Sequence, residues 1–165
     1  MPCAEAGARH IPRGSLPGSS PRRPSGATVN ATTSELVLDA SAAVTGLLRG
    51  EGSAGEIVAG IASGATAAHV PDIFVSEVTN ALAVRVNASR WPITKAVRAL
   101  EVVLGWPLVI QPCQPIAGAA LESATKLGIS AYDAFYAVLS SELELPLVTA
   151  DRKLAAAVPG AVLVA

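Results

Sequence analysis

A chain of 165 residues, 51% hydrophobic and 15% charged, has the length of about one domain and enough apolar mass for a sizeable core. Six aromatics and a formal charge of −1 argue against a general nucleic-acid surface built from stacking platforms and phosphate neutralisation. No apolar run approaches the ~18 residues that a bilayer span needs, no compact apolar stretch of signal-peptide type opens the chain, and Cys3 and Cys113 are too few for a disulfide framework or a zinc site. These features fit a cytoplasmic protein.

Residues 1–33 read as a disordered tail, because thirteen of them are Pro, Gly or Ser and the segment cannot bury enough surface to offset its ordering entropy. Its Arg9, Arg13, Arg22 and Arg23 are scattered rather than clustered, which favours a plain tail over a basic arm. A start at Val29 is the alternative, and it would make the tail a start-site artefact.

Residues 34–165 form the folded domain. Leu36–Leu38 reads as a buried strand, followed by helices over Ser41–Leu48 and Gly52–Ala62 that are split by Gly50 and Gly52. Ala67–Val70 is a short strand ended by Pro71, and a long helix covers Asp72–Val86. Pro92 opens a helix to about Leu104, Leu108–Ile110 is a strand, and Pro115–Lys126 is a helix stopped by Gly128. Ser130 is the expected N-cap of a helix to about Leu143; Leu147–Thr149 is a strand, Asp151–Ala157 a short helix and Val162–Val164 a last strand. Short strands alternating with helices predict an α/β fold of three layers, a short central parallel sheet flanked by helices.

The carboxylates carry the functional signal. Only four aspartates occur, and three of them, Asp39, Asp133 and Asp151, stand where an apolar strand or helix begins or ends. A charge at the end of a buried strand is costly unless something pairs with it. In open parallel sheets ligands bind at the carboxyl ends of the strands, where Asp39 and Asp151 are expected. Glu77 is the fourth candidate. Its helical stripe holds Ile73, Phe74, Ala81 and Val84, with Asn80 one turn on, so it lies at or beside a buried face. Taken singly, each aspartate can be a helix N-cap and Glu77 an edge glutamate reaching to water. Together they suggest a bound cation.

The same residues resemble a known family. Leu36-Val37-Leu38-Asp39-Ala40-Ser41 resembles the opening strand of PIN domains. The segment from Pro71 to Leu82, with Glu77 and Asn80, resembles their second acidic motif; Ser130–Ala137 and Leu147–Leu154 resemble the third and fourth. The ordered set resembles the VapC toxins of bacterial toxin–antitoxin pairs. The resemblance implies a metal-dependent endoribonuclease inhibited by a cognate antitoxin. It implies an acidic site of Asp39, Glu77, Asp133 and Asp151 for Mg²⁺, with Mn²⁺ as the alternative, and polar support from Ser41, Asn80 and Thr149. A PIN-fold nuclease of RNA processing and a non-catalytic module on the same fold remain as alternatives. A phosphatase of the haloacid-dehalogenase type needs a second Asp where Ser41 stands, and no Gly-rich phosphate loop follows any strand.

From Ser34 onward eight Lys/Arg face twelve Asp/Glu, a formal −4. The bases are uneven: Arg85, Arg90, Lys95 and Arg98 fall close together, and Arg152-Lys153 follow Asp151. They read either as solvated helix faces or as a rim guiding RNA phosphates, suited to an RNA selected by shape and exposed bases. The segment Ile73–Leu104 carries more apolar residues than one sheet face needs, among them Val78, Leu82, Ile93, Val97 and Val103. This predicts a homodimer contact and a groove for an antitoxin segment, against the plainer reading that all are core.

Overall fold

The structure, a computed structural model, describes residues 34–88 and 90–165. The expected tail lies outside the described residues. Among the described residues five strands form one sheet: β1 Ser34–Leu38, β2 Thr66–Pro71, β3 Leu108–Gln111, β4 Leu147–Thr149 and β5 Val162–Leu163. Their order is β3-β2-β1-β4-β5 and every pair is parallel. The central strands are buried: Val37 and Leu38 of β1, Ala68 and Val70 of β2 and Leu147 and Val148 of β4 all lie in the core. Such strands need covering on both faces.

Among the described residues seven α-helices provide that cover: α1 Ala40–Arg49, α2 Gly52–Ala62, α3 Phe74–Asn87, α4 Ile93–Leu104, α5 Ala117–Leu127, α6 Ala131–Leu143 and α7 Arg152–Ala157. The strand order reverses after β3, so right-handed crossovers put α1–α4 on one face and α5–α6 on the other. The contacts agree: α1 packs on α2 and α3, while α5 packs on α6. The result is the expected three-layer α/β arrangement. Among the described residues no helix is long and apolar enough to cross a membrane.

Local signals explain the boundaries. Ser130 caps α6, its hydroxyl accepting from the Asp133 amide at 3.0 Å. Gly128 ends α5 with φ 64°, a conformation that costs a glycine little. Two helix starts fall two residues later than the sequence expectation. Helix α3 begins at Phe74 rather than Asp72, because Asp72 accepts the Cys113 amide at 3.3 Å and so ties the end of β2 to the turn after β3. A single 3₁₀ turn, Gln114–Ile116, precedes α5 and takes up the expected helical start at Pro115.

Candidate active site

The strand order switches sides between β1 and β4, and in parallel sheets that switch point opens a crevice at the carboxyl ends of the strands. Asp39 directly follows β1, and Asp151 stands two residues beyond β4. Glu77 enters from α3 and Asp133 from the first turn of α6. All four carboxylates line one cavity of about 470 Å³, together with Ser41, Ser76, Asn80 and Tyr132. Among the described residues no lysine, arginine or histidine lines it. Among the described residues the one ion pair, His69 with Glu35 at 3.0 Å, lies elsewhere.

Asp39 is the most deeply held, at 5% exposure. It occupies the N-cap position of α1 yet makes no capping bond. Its Oδ2 instead accepts from the Thr149 hydroxyl at 2.7 Å and from the Ser41 hydroxyl. These hydroxyls are 3.1 Å apart and are themselves anchored: the Ala150 amide donates to Ser41 at 2.9 Å and the Asp151 amide to Thr149 at 2.9 Å. One short network thus locks the β1–α1 junction to the β4–α7 loop. Burial pushes the Asp39 carboxyl above its ordinary pKa; the Ser41 and Thr149 hydroxyls pull it back, and the charge of Asp133 adds to the rise.

Glu77 is half-buried, and Tyr136 donates to its Oε2 at 2.5 Å. Burial raises its pKa, the phenol opposes the rise, and the charges of Asp39 and Asp133 reinforce it. Tyr136 is fully buried, and burial followed by the nearby Glu77 charge drives its own pKa far up, so the phenol stays a donor. Asp151 does cap its helix, Oδ1 accepting from the amides of Lys153 at 2.6 Å and Leu154 at 3.1 Å. The capping reading therefore holds for Asp151 without removing it from the cavity, since one oxygen suffices for the cap.

The supporting residues and the basic rim separate by place. Ser41 and Thr149 bond the carboxylate network, whereas Asn80 is exposed on the cavity wall. Arg85 and Arg90 line a shallow recess that shares Ala81 with the acidic cavity. Arg152 and Lys153 are exposed beside Asp151. Lys95 lies 4.2 Å over the Trp91 ring, and Arg98 lies in a recess on α4 with Glu101; neither lines the cavity. Sequence reasoning missed Tyr136, which reads as one more apolar position of α6. Its spacing of three from Asp133 was the available signal.

An oxygen-only donor set suits a hard dication rather than a thiol- or imidazole-seeking metal. Among the described residues, no three acidic, His or Cys side chains already stand in a ligating group.

A parallel sheet with four acids at its switch point defines a class of protein, and comparison with known proteins agrees with it. The PIN domain profile matches residues 36–158. Ribonuclease VapC9 of Mycobacterium tuberculosis and VapC ribonuclease Mb0985 of Mycobacterium bovis are each 33% identical to this chain over 121 residues, covering 72% of it and 87% of the relative. Among solved structures, PAE2754 from Pyrobaculum aerophilum aligns with a TM-score of 0.63 at 25% identity, over 81% of this chain and 85% of that one. The chain therefore belongs to the PIN-domain family, in its VapC-type branch.

Proposed function

We propose that this protein is a metal-dependent endoribonuclease, the toxin of a toxin–antitoxin pair, working in the cytoplasm and held inactive by a cognate antitoxin. One observation carries the reading: four carboxylates from four separate segments meet in one cavity that, among the described residues, no basic side chain lines. Burial and mutual repulsion already raise Asp39 and Glu77 above ordinary carboxyls. An oxygen-seeking dication is the counter-charge that such a set fits, Mg²⁺ first and Mn²⁺ second. Asp39, Glu77, Asp133 and Asp151 would hold it. When bound, such an ion polarises a phosphodiester and acidifies a water.

The chain's own residues supply position and selection. Ser41 and Thr149 keep the Asp39 carboxylate turned into the cavity, and the cap of α7 does the same for Asp151. The Arg85 and Arg90 recess, which shares the wall residue Ala81 with the cavity, offers a place for RNA phosphates, and Arg152 and Lys153 offer another. Lys95 and Arg98 are a weaker part of that rim. Tyr132, 60% exposed on the cavity wall, presents a ring on which an unpaired base can stack. The relatives' names, ribonuclease in each case, support RNA as substrate.

The test is cleavage of RNA by purified protein. Activity is expected with Mg²⁺ and not with excess EDTA. Asp39→Asn should fold and lose at least about a hundredfold in cleavage, because it removes ligand charge with little change in shape. Cleavage by Asp39→Asn equal to wild type, above the EDTA background, overturns the catalytic reading. Growth arrest on expression, relieved by the product of a small adjacent upstream gene, tests the toxin pairing.

A further inference from the structure

We propose that Tyr136 is a positioning residue whose buried phenol holds the Glu77 carboxylate in the orientation that engages the cation, a role that rests on the metal-dependent reading above. The four acids are not equally braced. Asp39 has two hydroxyls on it, and Asp151 is fixed by two amides of α7. Glu77 stands on a longer arm with more rotatable bonds, and among the described residues its side chain hydrogen-bonds to Tyr136 alone. A free glutamate head would sample several rotamers, and ordering it at the moment of binding would cost side-chain entropy.

Tyr136 is suited to remove that cost. Its exposure is 0%, and it heads the fully buried side chains by volume, so the ring is clamped and its hydroxyl is a fixed point. Asp133 and Tyr136 lie three apart on α6, one turn of one face. A single turn of helix therefore delivers one carboxylate to the cavity and steadies another from α3. Groups that orient metal ligands in this way commonly change metal affinity by about 10–100-fold when removed.

The experiment is a calorimetric titration of the full chain with Mn²⁺, without RNA. Tyr136→Phe keeps the ring and deletes the hydroxyl. It should raise the Mn²⁺ Kd by about tenfold or more, keep the far-UV spectrum and cooperative unfolding, and lower kcat for RNA with KM unchanged, since a fully buried ring cannot touch substrate. In a Glu77→Ala background the same change should have no further effect on Mn²⁺ affinity. Wild-type affinity in Tyr136→Phe, or a loss that persists in the Glu77→Ala background, overturns the role. If Tyr136→Phe does not fold, Glu77→Asp retains the charge but shortens the arm away from the phenol, and unchanged Mn²⁺ affinity there overturns it equally. Failure of the wild type itself to bind Mn²⁺ overturns both this role and the metal reading, a result distinct from intact wild-type binding with an indifferent variant.

Discussion

A carboxylate in a buried site is a liability to the fold until something neutralises it, and Asp39 shows this at the scale of one residue. Its pKa and that of Glu77 are both raised above the ordinary values of 3.8 and 4.5. The folded protein therefore keeps these two protons at a pH where the unfolded chain has lost them. Stability falls with rising pH wherever the folded state binds more protons. In metal-free protein the contribution is thus full below the ordinary carboxyl range and is lost as pH climbs through the raised values. Asp72 has the opposite sign, its pKa lowered by Cys113, but it is fully exposed and screened. The expected outcome is a Tm in EDTA that falls as pH rises above the ordinary carboxyl range. Asp39→Asn should flatten that slope, because it removes the more deeply buried of the two acids. Parallel slopes for the two proteins would exclude Asp39 as a source of the pH dependence. Saturating Mg²⁺ should likewise flatten the wild-type curve, since a cation replaces the protons.

At the scale of elements, what was legible in the sequence is what neighbours in sequence decide. Strand β4 lies where Leu147-Val148-Thr149 places it, and Ser130 caps α6 as its position before an apolar helix suggests. The acids were legible because each stands at or near the end of an element, and the strand order then carries Asp39 and Asp151 to one edge. Contacts between distant segments were not legible. Thr149 bonds Asp39 across 110 positions, and Tyr136 bonds Glu77 across 59. Nothing in the local pattern of α6 separates a phenol that packs from one that also donates. Asp72 misled for a similar reason: it resembles a first-turn acid but serves the turn after β3. The packing of α1 on α2 is a further contact of this kind. A Cβ on Gly46 would fall 2.5 Å from the Ala54 carbonyl oxygen and 2.5 Å from Val58 Cγ2. Since α1 starts immediately after Asp39, that crossing also sets the site. Gly46→Val should cost about 1–3 kcal/mol in denaturant unfolding. Gly118, in α5 with open space around its Cβ, should accept alanine without loss. Equal effects at the two positions would show that the close crossing does not govern stability.

At the scale of the whole molecule, helices α3 and α4 hold more apolar surface than the sheet covers. Val78, Leu82 and Val103 are buried as core, which satisfies part of the plainer reading of this segment. Ile93 and Val97 are not, at 62% and 46% exposure, and Val102 and Leu104 are also open to water. A narrow groove between the two helices is walled almost wholly by apolar groups, including Leu82, Val86, Ile93, Val97 and Leu100. Exposed aliphatic side chains gathered around a groove mark an interaction surface more often than isolated ones do. The VapC-type reading proposes two occupants, a second copy of the chain and an antitoxin segment. The dimer is the simpler to measure. Wild-type protein at micromolar concentration should scatter light as a dimer, and Ile93→Glu with Val97→Glu should scatter as a monomer with its far-UV spectrum retained. Charges placed there cost the fold little, because both side chains already face water, but they would be desolvated in a dimer without partners. A wild-type monomer would remove the homodimer from the proposal. A dimer that survives both substitutions would move the contact off α4 and leave this groove to the antitoxin alone.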